Sequence, residues 1–226
     1  MSPARSFADR REAGRQLASR LLHLAADRPV VIGMARGGVL VAQAVAEALQ
    51  APLDVIVVRK IGAPFQPEFA VGAIARGVIR LDHDSIRQLR ISQKSLTETV
   101  ARELAELTRR EWLYRGGRAE IDVKDRVVIV VDDGLATGLS ALAAIEAIRA
   151  RSPARIVFAT PVAAPESVPR LRAMGVDVVS VLTPPEFRTV GEWYEDFAPT
   201  SDDEVIELLA VARPGDRLAG DERVSG

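Results

Sequence analysis

The sequence predicts an α/β fold: an open, mostly parallel, twisted sheet with helices on both faces. Through most of the 226 residues, segments with the apolar character of buried strands alternate with segments that carry the apolar period of helices. The strand segments are continuous apolar runs rather than alternating patterns, which is typical of parallel strands covered on both faces. We therefore expect a ligand to bind beyond the carboxyl ends of these strands.

The composition limits the possible functions. Hydrophobic residues make up 48% and charged residues 27% of the chain, as in ordinary globular proteins. A formal net charge of -1 gives no global electrostatic argument for binding nucleic acid or a membrane surface. The absence of cysteine excludes disulfides, thiolate catalysis and cysteine-ligated metals. No apolar run approaches the roughly 20 residues of a membrane span, and the charged N-terminus lacks a secretory core, so we expect a cytoplasmic protein.

The first half of the chain contains two predicted strands. Leucines spaced among arginines predict an amphipathic N-terminal helix, followed by a buried strand over 28–34 and a helix over 39–49. A second buried strand is predicted over 53–60. The Gly- and Pro-rich stretch 61–81 is predicted as a long loop that ends in a hairpin at 76–77.

A long helix is predicted to follow Ser95, because Ser95 and Glu98 form the S-x-x-E pattern of a capping box. Its predicted buried stripe is Leu96, Val100, Leu104 and Leu107. Ion pairs four residues apart are predicted on its exposed side at Glu98–Arg102, Glu106–Arg110 and Glu111–Arg115. We expect this helix to end at about Tyr114.

The second half alternates regularly between strand and helix. Strands are predicted over 127–131, 155–160 and 176–182, and helices over 139–150 and 167–173. A second S-x-x-E pattern, Ser201 to Glu204, predicts the start of a final helix. We expect one domain over 1–212, followed by a mobile tail over 213–226.

Two adjacent aspartates follow an apolar predicted strand in the segment VVIVVDDGLATGLSA. The small residues after Asp132 and Asp133 offer backbone N–H groups and lead into a helix N-terminus, a place that binds phosphate. Thr137 and Ser140 add hydroxyl donors. The two carboxylates can accept hydrogen bonds from vicinal hydroxyls and can share a divalent cation that relieves their repulsion. The pattern predicts a site for a phosphorylated sugar.

The same residues have a structural alternative. Asp-Asp-Gly is also a common strand-ending turn, with Ser or Thr capping the helix that follows. The complete string, with ATG between the acids and the helix, favours the phosphate site. The segment ARGG over 35–38 lies at the carboxyl end of the first predicted strand and is therefore expected at the same edge of the sheet.

The segment VVIVVDDGLATGLSA resembles the phosphoribosyl pyrophosphate (PRPP) binding motif of type I phosphoribosyltransferases. The segments VIGMARGGVLVA, LDVIVVRKIGAPFQPEFAVGAIARG and FRTVGEWYEDF extend the resemblance from about Phe7 to Leu209, towards bacterial members whose acceptor is unassigned. The resemblance implies a type I phosphoribosyltransferase-like, Rossmann-like fold. It also implies a flexible loop or hairpin over 61–81, a helical insertion over 83–118 and a small C-terminal hood over 183–200.

The resemblance assigns roles to the motif residues. It implies that Asp132 and Asp133 hold the ribose 2- and 3-hydroxyls and are the metal-binding residues. The 5-phosphate loop is implied to be Ala136, Thr137, Gly138, Leu139 and Ser140. The pyrophosphate loop is implied to be Ala35, Arg36, Gly37 and Gly38, with a non-proline cis peptide at the bond between Ala35 and Arg36.

Arg59 and Lys60 are predicted to end the second strand, where family members place a basic residue on the pyrophosphate. The alternative is that both residues form a solvated strand terminus. Together with Mg²⁺, Arg36 and Lys60 would stabilise the charge that develops on a leaving pyrophosphate. The implied catalytic set is therefore Asp132, Asp133, Lys60 and Arg36.

The implied activity is Mg²⁺-dependent transfer of 5-phosphoribosyl from PRPP to a nitrogen nucleophile, a nucleobase or related amine, with release of pyrophosphate. The stretch 61–81 would close over PRPP and exclude water. Glu68 is its only acid and is a candidate to assist the acceptor; a plain surface hairpin is the alternative.

The acceptor is not identified by the sequence. The 6-oxopurine members carry an acid/base aspartate three residues after the second motif acid, and this chain has Ala136 there, which argues against a hypoxanthine- or guanine-type mechanism. The candidates for stacking on the acceptor are Phe187, Trp193 and Tyr194, with Glu195 or Asp196 near a second metal. The alternative is that these aromatics pin the C-terminal segment to the core.

Two other functions stay open: a PRPP-binding regulator or sensor without turnover, and a hydrolase. A regulator that binds nucleic acid should show a basic face or an added DNA-binding domain, and neither is apparent in the sequence. We therefore expect PRPP and a small nitrogen acceptor as partners, neither nucleic acid nor a membrane, and a homodimer as the resemblance implies.

Overall fold

The structure, a computed structural model, describes residues 6–211, and the tail predicted over 213–226 lies outside the described residues. The strands are β1 (Val30–Ala35), β2 (Leu53–Val57), β3 (Arg59–Ala63), β4 (Gln66–Ala75), β5 (Val78–Leu81), β6 (Val127–Val131), β7 (Arg155–Val162) and β8 (Asp177–Leu182). The α-helices are α1 (Arg10–Leu21), α2 (Gly37–Leu49), α3 (His83–Gln88), α4 (Gln93–Arg115), α5 (Leu139–Arg149), α6 (Ser167–Arg172) and α7 (Asp202–Val211). Short 3₁₀ helices cover Leu22–Asp27 and Val190–Trp193.

The main sheet confirms the predicted fold class. Its five strands have the order β2-β1-β6-β7-β8, and every neighbouring pair is parallel. The chain enters the sheet at β1, next to the edge, moves outward to the edge strand β2, and returns to β6 on the other side of β1. The predicted elements of this sheet all form, with ends shifted by a few residues.

Alternate residues of the central strands pack against opposite layers of helices. In β6, Ile129 and Val131 pack with buried residues of α1, α2 and α7, whereas Val128 and Val130 pack with α5 and α6. Both faces of the strand are therefore apolar, which explains the continuous run in the sequence. The first polar side chain after this run is Asp132, at the carboxyl edge of the sheet.

A second sheet corrects the prediction for 53–81. The predicted strand over 53–60 ends at Val57, and Arg59 and Lys60 begin β3 rather than end β2. The stretch 61–81, predicted as a long loop, is instead largely an antiparallel sheet in the order β3-β4-β5. The second half of β4, residues 71–75, is buried in the core, and its Gly and Ala residues allow close packing there. The predicted hairpin at 76–77 is confirmed as the turn between β4 and β5.

The two predicted capping boxes differ in outcome. At α7 the box forms, because the Ser201 N–H donates to Glu204 Oε2 at 2.8 Å and the Glu204 N–H donates to Ser201 Oγ at 3.1 Å. At α4 the prediction is wrong: the helix begins at Gln93, and Ser92 Oγ accepts from the Ser95 N–H at 3.2 Å. Ser92 lacks a Glu three residues on, so the capping-box pattern does not identify it.

The contacts of α4 were predicted only in part. Leu96 and Leu107 are buried as predicted, but Leu104 is 39% exposed. Of the predicted ion pairs, Glu106 binds Arg110 at 2.7 Å, whereas Glu111 instead accepts from Arg76 in the β4–β5 turn at 2.8 Å. This long-range pair ties the small sheet to α4. None of the described helices has both the length and the apolar character needed to cross a lipid bilayer.

We expect Phe158→Ala to lower the free energy of unfolding by about 3–5 kcal/mol, because Phe158 is fully buried in β7 and truncation leaves a cavity. Phe65→Ala is the matched control: this ring is 90% exposed, and we expect a change within about 0.5 kcal/mol. Urea unfolding followed by circular dichroism measures both variants. Equal losses would contradict the core described here.

Candidate active site

Two loops meet at the carboxyl edge of the main sheet. The first joins β1 to α2 at Arg36, and the second joins β6 to α5 over 132–138. Because β1 and β6 are adjacent and parallel, both loops lie on the same side of the sheet. A crevice of about 310 Å³ lies between them, at the edge where the sequence predicts a ligand.

Most of the residues singled out in the sequence meet in this crevice. Those that line it are Ala35, Arg36, Gly37, Lys60, Asp132, Asp133, Ala136, Thr137, Gly138 and Ser140. Those that do not line it are Gly38, Arg59, Leu139, Phe187, Trp193 and Tyr194. Each residue of the second group has identifiable contacts elsewhere.

Gly38 has a packing role. A Cβ at this position would lie 2.6 Å from the Val131 carbonyl oxygen and 2.9 Å from the Asp132 Cα, so only glycine lets α2 approach the end of β6 this closely. Leu139 packs its side chain against the core between α5 and the sheet. Arg59 points to α4, where its guanidinium pairs with Glu103 at 2.7 Å.

The three predicted acceptor aromatics pack in the core between the hood and the N-terminus. Tyr194 is buried, its ring lies 5.4 Å from that of Phe7 and 4.9 Å from that of Phe197, and its Oη donates to the Asp133 carbonyl oxygen at 2.6 Å. Phe187 and Trp193 pack against the same cluster. The structure thus places all three in the packing role that the sequence left as the alternative. The hood residues that line the crevice are instead Val190 and Phe197.

The 35–38 loop has the expected backbone conformation. The peptide bond between Ala35 and Arg36 is cis, as predicted. The Arg36 guanidinium lies 3.6 Å from Asp202 Oδ1 at the start of α7, and Tyr114 Oη donates to the same oxygen at 2.7 Å. This hydrogen bond from Tyr114 is the main cause that lowers the pKa of Asp202. The loop is therefore connected to α4 and α7 through one carboxylate.

The aspartate pair is surrounded by groups that offset its charge. Burial raises the pKa of Asp132, and the adjacent Asp133 carboxylate raises it further, while Lys60 and Arg10 act in the opposite direction. The Arg10 Nε donates to Asp133 Oδ2 at 2.8 Å, and the Asp133 N–H donates to Asp132 Oδ1 at 2.9 Å. Adjacent carboxylates in this position favour a cationic or hydroxyl-bearing ligand.

The 134–140 turn presents unpaired backbone donors. Within residues 6–211, the N–H groups of Ala136 through Ser140 donate no hydrogen bond to the protein. The turn is held by its other groups: the Leu135 N–H donates to the Val162 carbonyl at 2.9 Å, and Ser167 Oγ donates to the Ala136 carbonyl. Gly138, with φ of 82°, then leads into α5. Such a run of free N–H groups at a helix N-terminus attracts an anion.

The donor set fits a magnesium ion that arrives with a phosphorylated ligand. Among the described residues, no group of three or more His, Asp or Glu could enclose a metal ion. Mg²⁺ is usually held by one or two carboxylates together with substrate phosphates, and Asp132 and Asp133 supply the carboxylates. Glu195 and Asp196, considered for a second metal, are exposed, and Asp196 Oδ1 accepts from the Ala198 N–H at 2.9 Å.

Sequence reasoning missed Arg10, Asp202 and Phe197. Arg10 stands in a run rich in arginine, and only its contact with Asp133 distinguishes it from its neighbours. Phe197 belongs to the aromatic segment that was singled out, but no local pattern separates the ring that faces the crevice from those that face the core.

The match to known proteins covers most of the chain. The family model for the phosphoribosyl transferase domain matches residues 8–196. The protein named putative phosphoribosyl transferase Rv0571c of Mycobacterium tuberculosis is 45% identical over 204 residues, which cover 90% of this chain and 46% of that protein. The chain therefore spans about half the length of the curated relatives it matches most fully. A uracil phosphoribosyltransferase of Staphylococcus saprophyticus is 44% identical over 57 residues, 25% of this chain and 27% of that protein.

The solved structures include a similar chain. The crystal structure of TT1426 from Thermus thermophilus has a TM-score of 0.74 and 43% sequence identity, and the match covers 90% of this chain and 97% of that one. Since the family model spans well over half of the sequence, this chain belongs to the phosphoribosyl transferase family.

Proposed function

We propose that the protein transfers 5-phosphoribosyl from PRPP to a nitrogen nucleophile, a nucleobase or related amine, and releases pyrophosphate with the help of Mg²⁺. The observation that carries this proposal is the run of N–H groups over 136–140 that have no acceptor within residues 6–211, in a turn that lines the same crevice as Asp132 and Asp133. An anion site beside paired hydrogen-bond acceptors suits a sugar phosphate.

The ribose phosphate end of PRPP would bind to the β6–α5 loop. The 5-phosphate would accept hydrogen bonds from the N–H groups of Ala136 through Ser140 and from the hydroxyls of Thr137 and Ser140. The ribose hydroxyls would donate to Asp132 and Asp133. Both aspartates line the crevice of about 310 Å³.

The pyrophosphate end would bind to the β1–α2 loop. The N-terminus of α2, the Arg36 guanidinium and the Lys60 ammonium supply positive charge there. In the reaction, the acceptor nitrogen forms a bond to C1 of the ribose, and the bond from C1 to the pyrophosphate oxygen breaks with its electron pair. An acceptor nitrogen that carries a hydrogen releases this proton to water or to the departing pyrophosphate. These cations would stabilise the charge that collects on the leaving group. Mg²⁺, when bound, would neutralise further charge on the pyrophosphate.

Two of the predicted basic residues form ion pairs that would have to break before either residue could bind the pyrophosphate. Arg36 contacts Asp202 and Arg59 pairs with Glu103. Arg36 nevertheless lines the crevice, whereas Arg59 does not. We therefore assign the pyrophosphate contact to Arg36 and Lys60 rather than to Arg59.

The hairpin formed by β3 and β4 is our candidate for the element that excludes water. The small sheet that carries it is anchored, because Arg76 in the β4–β5 turn binds Glu111 of α4 and Arg80 of β5 binds Glu146 of α5. Among the described residues, the tip between β3 and β4 forms no ion pair, and Phe65 there is 90% exposed. Closure would therefore be confined to the tip, and Glu68 lies close to that tip in the chain.

The acceptor side of the crevice is apolar. Val190 and Phe197 line it, and Ala136 stands where 6-oxopurine enzymes of the family carry an aspartate. These residues offer a surface to a flat ring but no side chain that reads its polar edge. The acceptor class is therefore proposed from the chemistry of the family.

Pyrophosphate release tests the proposal. The protein is incubated with PRPP and Mg²⁺, alone and with a panel of nucleobases and amines that includes uracil and adenine, and products are identified by mass. We expect release that depends on both Mg²⁺ and one acceptor. Release without any acceptor would indicate a hydrolase, and PRPP binding without release would indicate a sensor; either result contradicts the proposed transferase.

We expect Lys60→Ala to lower turnover by about 100-fold or more, because it removes a cation from the leaving group while Lys60, being exposed, contributes little to folding. Lys94→Ala is the matched control, since Lys94 is exposed near the start of α4 and does not line the crevice. Initial rates at saturating PRPP and the unfolding midpoint measure both variants. Unchanged turnover in Lys60→Ala would contradict the proposed role of Lys60 in stabilising the leaving group.

A further inference from the structure

An arginine from the first turn of α1 is buried beside the crevice. Arg10 is only 8% exposed. Its Nε donates to Asp133 Oδ2 and its Nη1 donates to the Ala198 carbonyl oxygen, each at 2.8 Å. The guanidinium also lies over the ring of Phe197, 3.8 Å from the ring centroid. One side chain thus contacts the aspartate pair and the hood together.

The stability of helix α1 does not explain why an arginine occupies position 10. Arg10 is the first residue of the helix, directly after the N-cap Asp9, whose side chain accepts from the Glu12 N–H at 2.7 Å. A positive charge at a helix N-terminus opposes the helix dipole. Burying a guanidinium is also unfavourable unless a counter-charge is close. The compensation comes from Asp133, so the residue serves the crevice rather than the helix.

Asp133 is held from several directions. Its carbonyl oxygen accepts from Tyr194 Oη at 2.6 Å, and its N–H donates to Asp132 Oδ1 at 2.9 Å. Gly37 packs so closely that a Cβ there would collide with Asp133 Oδ2 and would lie 2.7 Å from Arg10 Nε. The carboxylate therefore has little freedom to rotate.

The two carboxylate oxygens of Asp133 have different surroundings. Oδ2 is committed to Arg10. Within the described part of the chain, Oδ1 accepts no hydrogen bond. The Asp133 side chain still keeps 18% of its surface exposed, and it lines the crevice. One oxygen is anchored and the other is left for a ligand.

We infer that Arg10 is a positioning residue, which fixes the Asp133 carboxylate so that its free oxygen accepts a hydroxyl of the bound ribose. This inference rests on the proposed function, because it takes PRPP as the ligand. The inference adds that recognition of the ribose depends on two residues, Asp133 and the sequence-distant Arg10. Arg10 itself does not touch the substrate.

Direct binding of PRPP in the presence of Mg²⁺, measured by calorimetry, tests the inference. We expect Arg10→Met to weaken binding by about 10- to 100-fold, the range typical of groups that orient a ligand-binding side chain. Arg11→Met is the matched control, because Arg11 is the exposed neighbour and its hydrogen bond goes to Gln43. We expect its affinity for PRPP to equal that of the unmodified protein.

A double-mutant cycle separates positioning from general packing. If Arg10 acts through Asp133, then adding Arg10→Met to Asp133→Asn should weaken binding by less than about 3-fold further. An undiminished effect of Arg10→Met in that background would overturn the inference, because it would show that Arg10 acts through the hood or the fold. Thermal unfolding of each variant checks that the compared proteins are folded.

A conservative variant covers the case in which Arg10→Met does not fold. Arg10→Lys keeps the charge, but an ammonium cannot reproduce the two directed hydrogen bonds of the guanidinium, so we expect about a 5-fold or greater loss of PRPP affinity. Unchanged PRPP affinity in this variant overturns the inference about Arg10 and leaves the proposed function standing. If the unmodified protein and Arg11→Met both fail to bind PRPP, the proposed function falls and the inference falls with it.

Discussion

Two adjacent carboxylates at the end of a buried strand are the constraint on which the rest of the site depends. Asp132 and Asp133 repel each other, and burial makes an ionised Asp132 still less favourable, as its raised pKa indicates. A fold tolerates such a pair only where other groups offset the charge. Here the offset comes from Arg10, from Lys60 and, in our proposal, from the ligand and its metal ion.

Glycines at the edge of the sheet let backbone segments approach the aspartate pair closely. Gly37 and Gly38 allow the N-terminus of α2 to lie against the end of β6, and a side chain at either position would collide with the aspartate segment. Gly134 plays the corresponding role on the hood side, where a Cβ would collide with Val190. These contacts bring two helix N-termini and a set of free N–H groups around one small crevice. A site that binds a doubly phosphorylated sugar needs such a concentration of donors.

The parts of the site that follow one another in the chain could be predicted from the sequence. The run from Val127 to Ser140 contains the strand, the acids, the turn and the helix start in order, and local propensity alone places them. The cis peptide after Ala35 followed from the family resemblance and is present. The parallel sheet followed from apolar runs whose two faces both had to be covered.

The parts that depend on tertiary contacts could not be predicted. Arg10 and Asp133 are 123 residues apart in the chain, so no local pattern connects them. The aromatic segment was recognised, yet which ring faces the crevice depends on how the hood packs against Phe7. The sequence predicts a loop where the β3–β4 hairpin forms, because glycines and prolines are typical of turns. In the fold, small residues are needed there because helices pack closely against the hairpin, and the sequence does not show that contact.

The most direct test of the central claim is amide hydrogen exchange, resolved to single residues, with and without PRPP and Mg²⁺. In the free protein the N–H groups of 136–140 have no acceptor within the described part of the chain and should exchange rapidly. The account predicts that the ligand slows exchange at these five positions and at the 35–38 loop. Rapid exchange there in the presence of bound PRPP would contradict it, since the phosphate would then be held elsewhere.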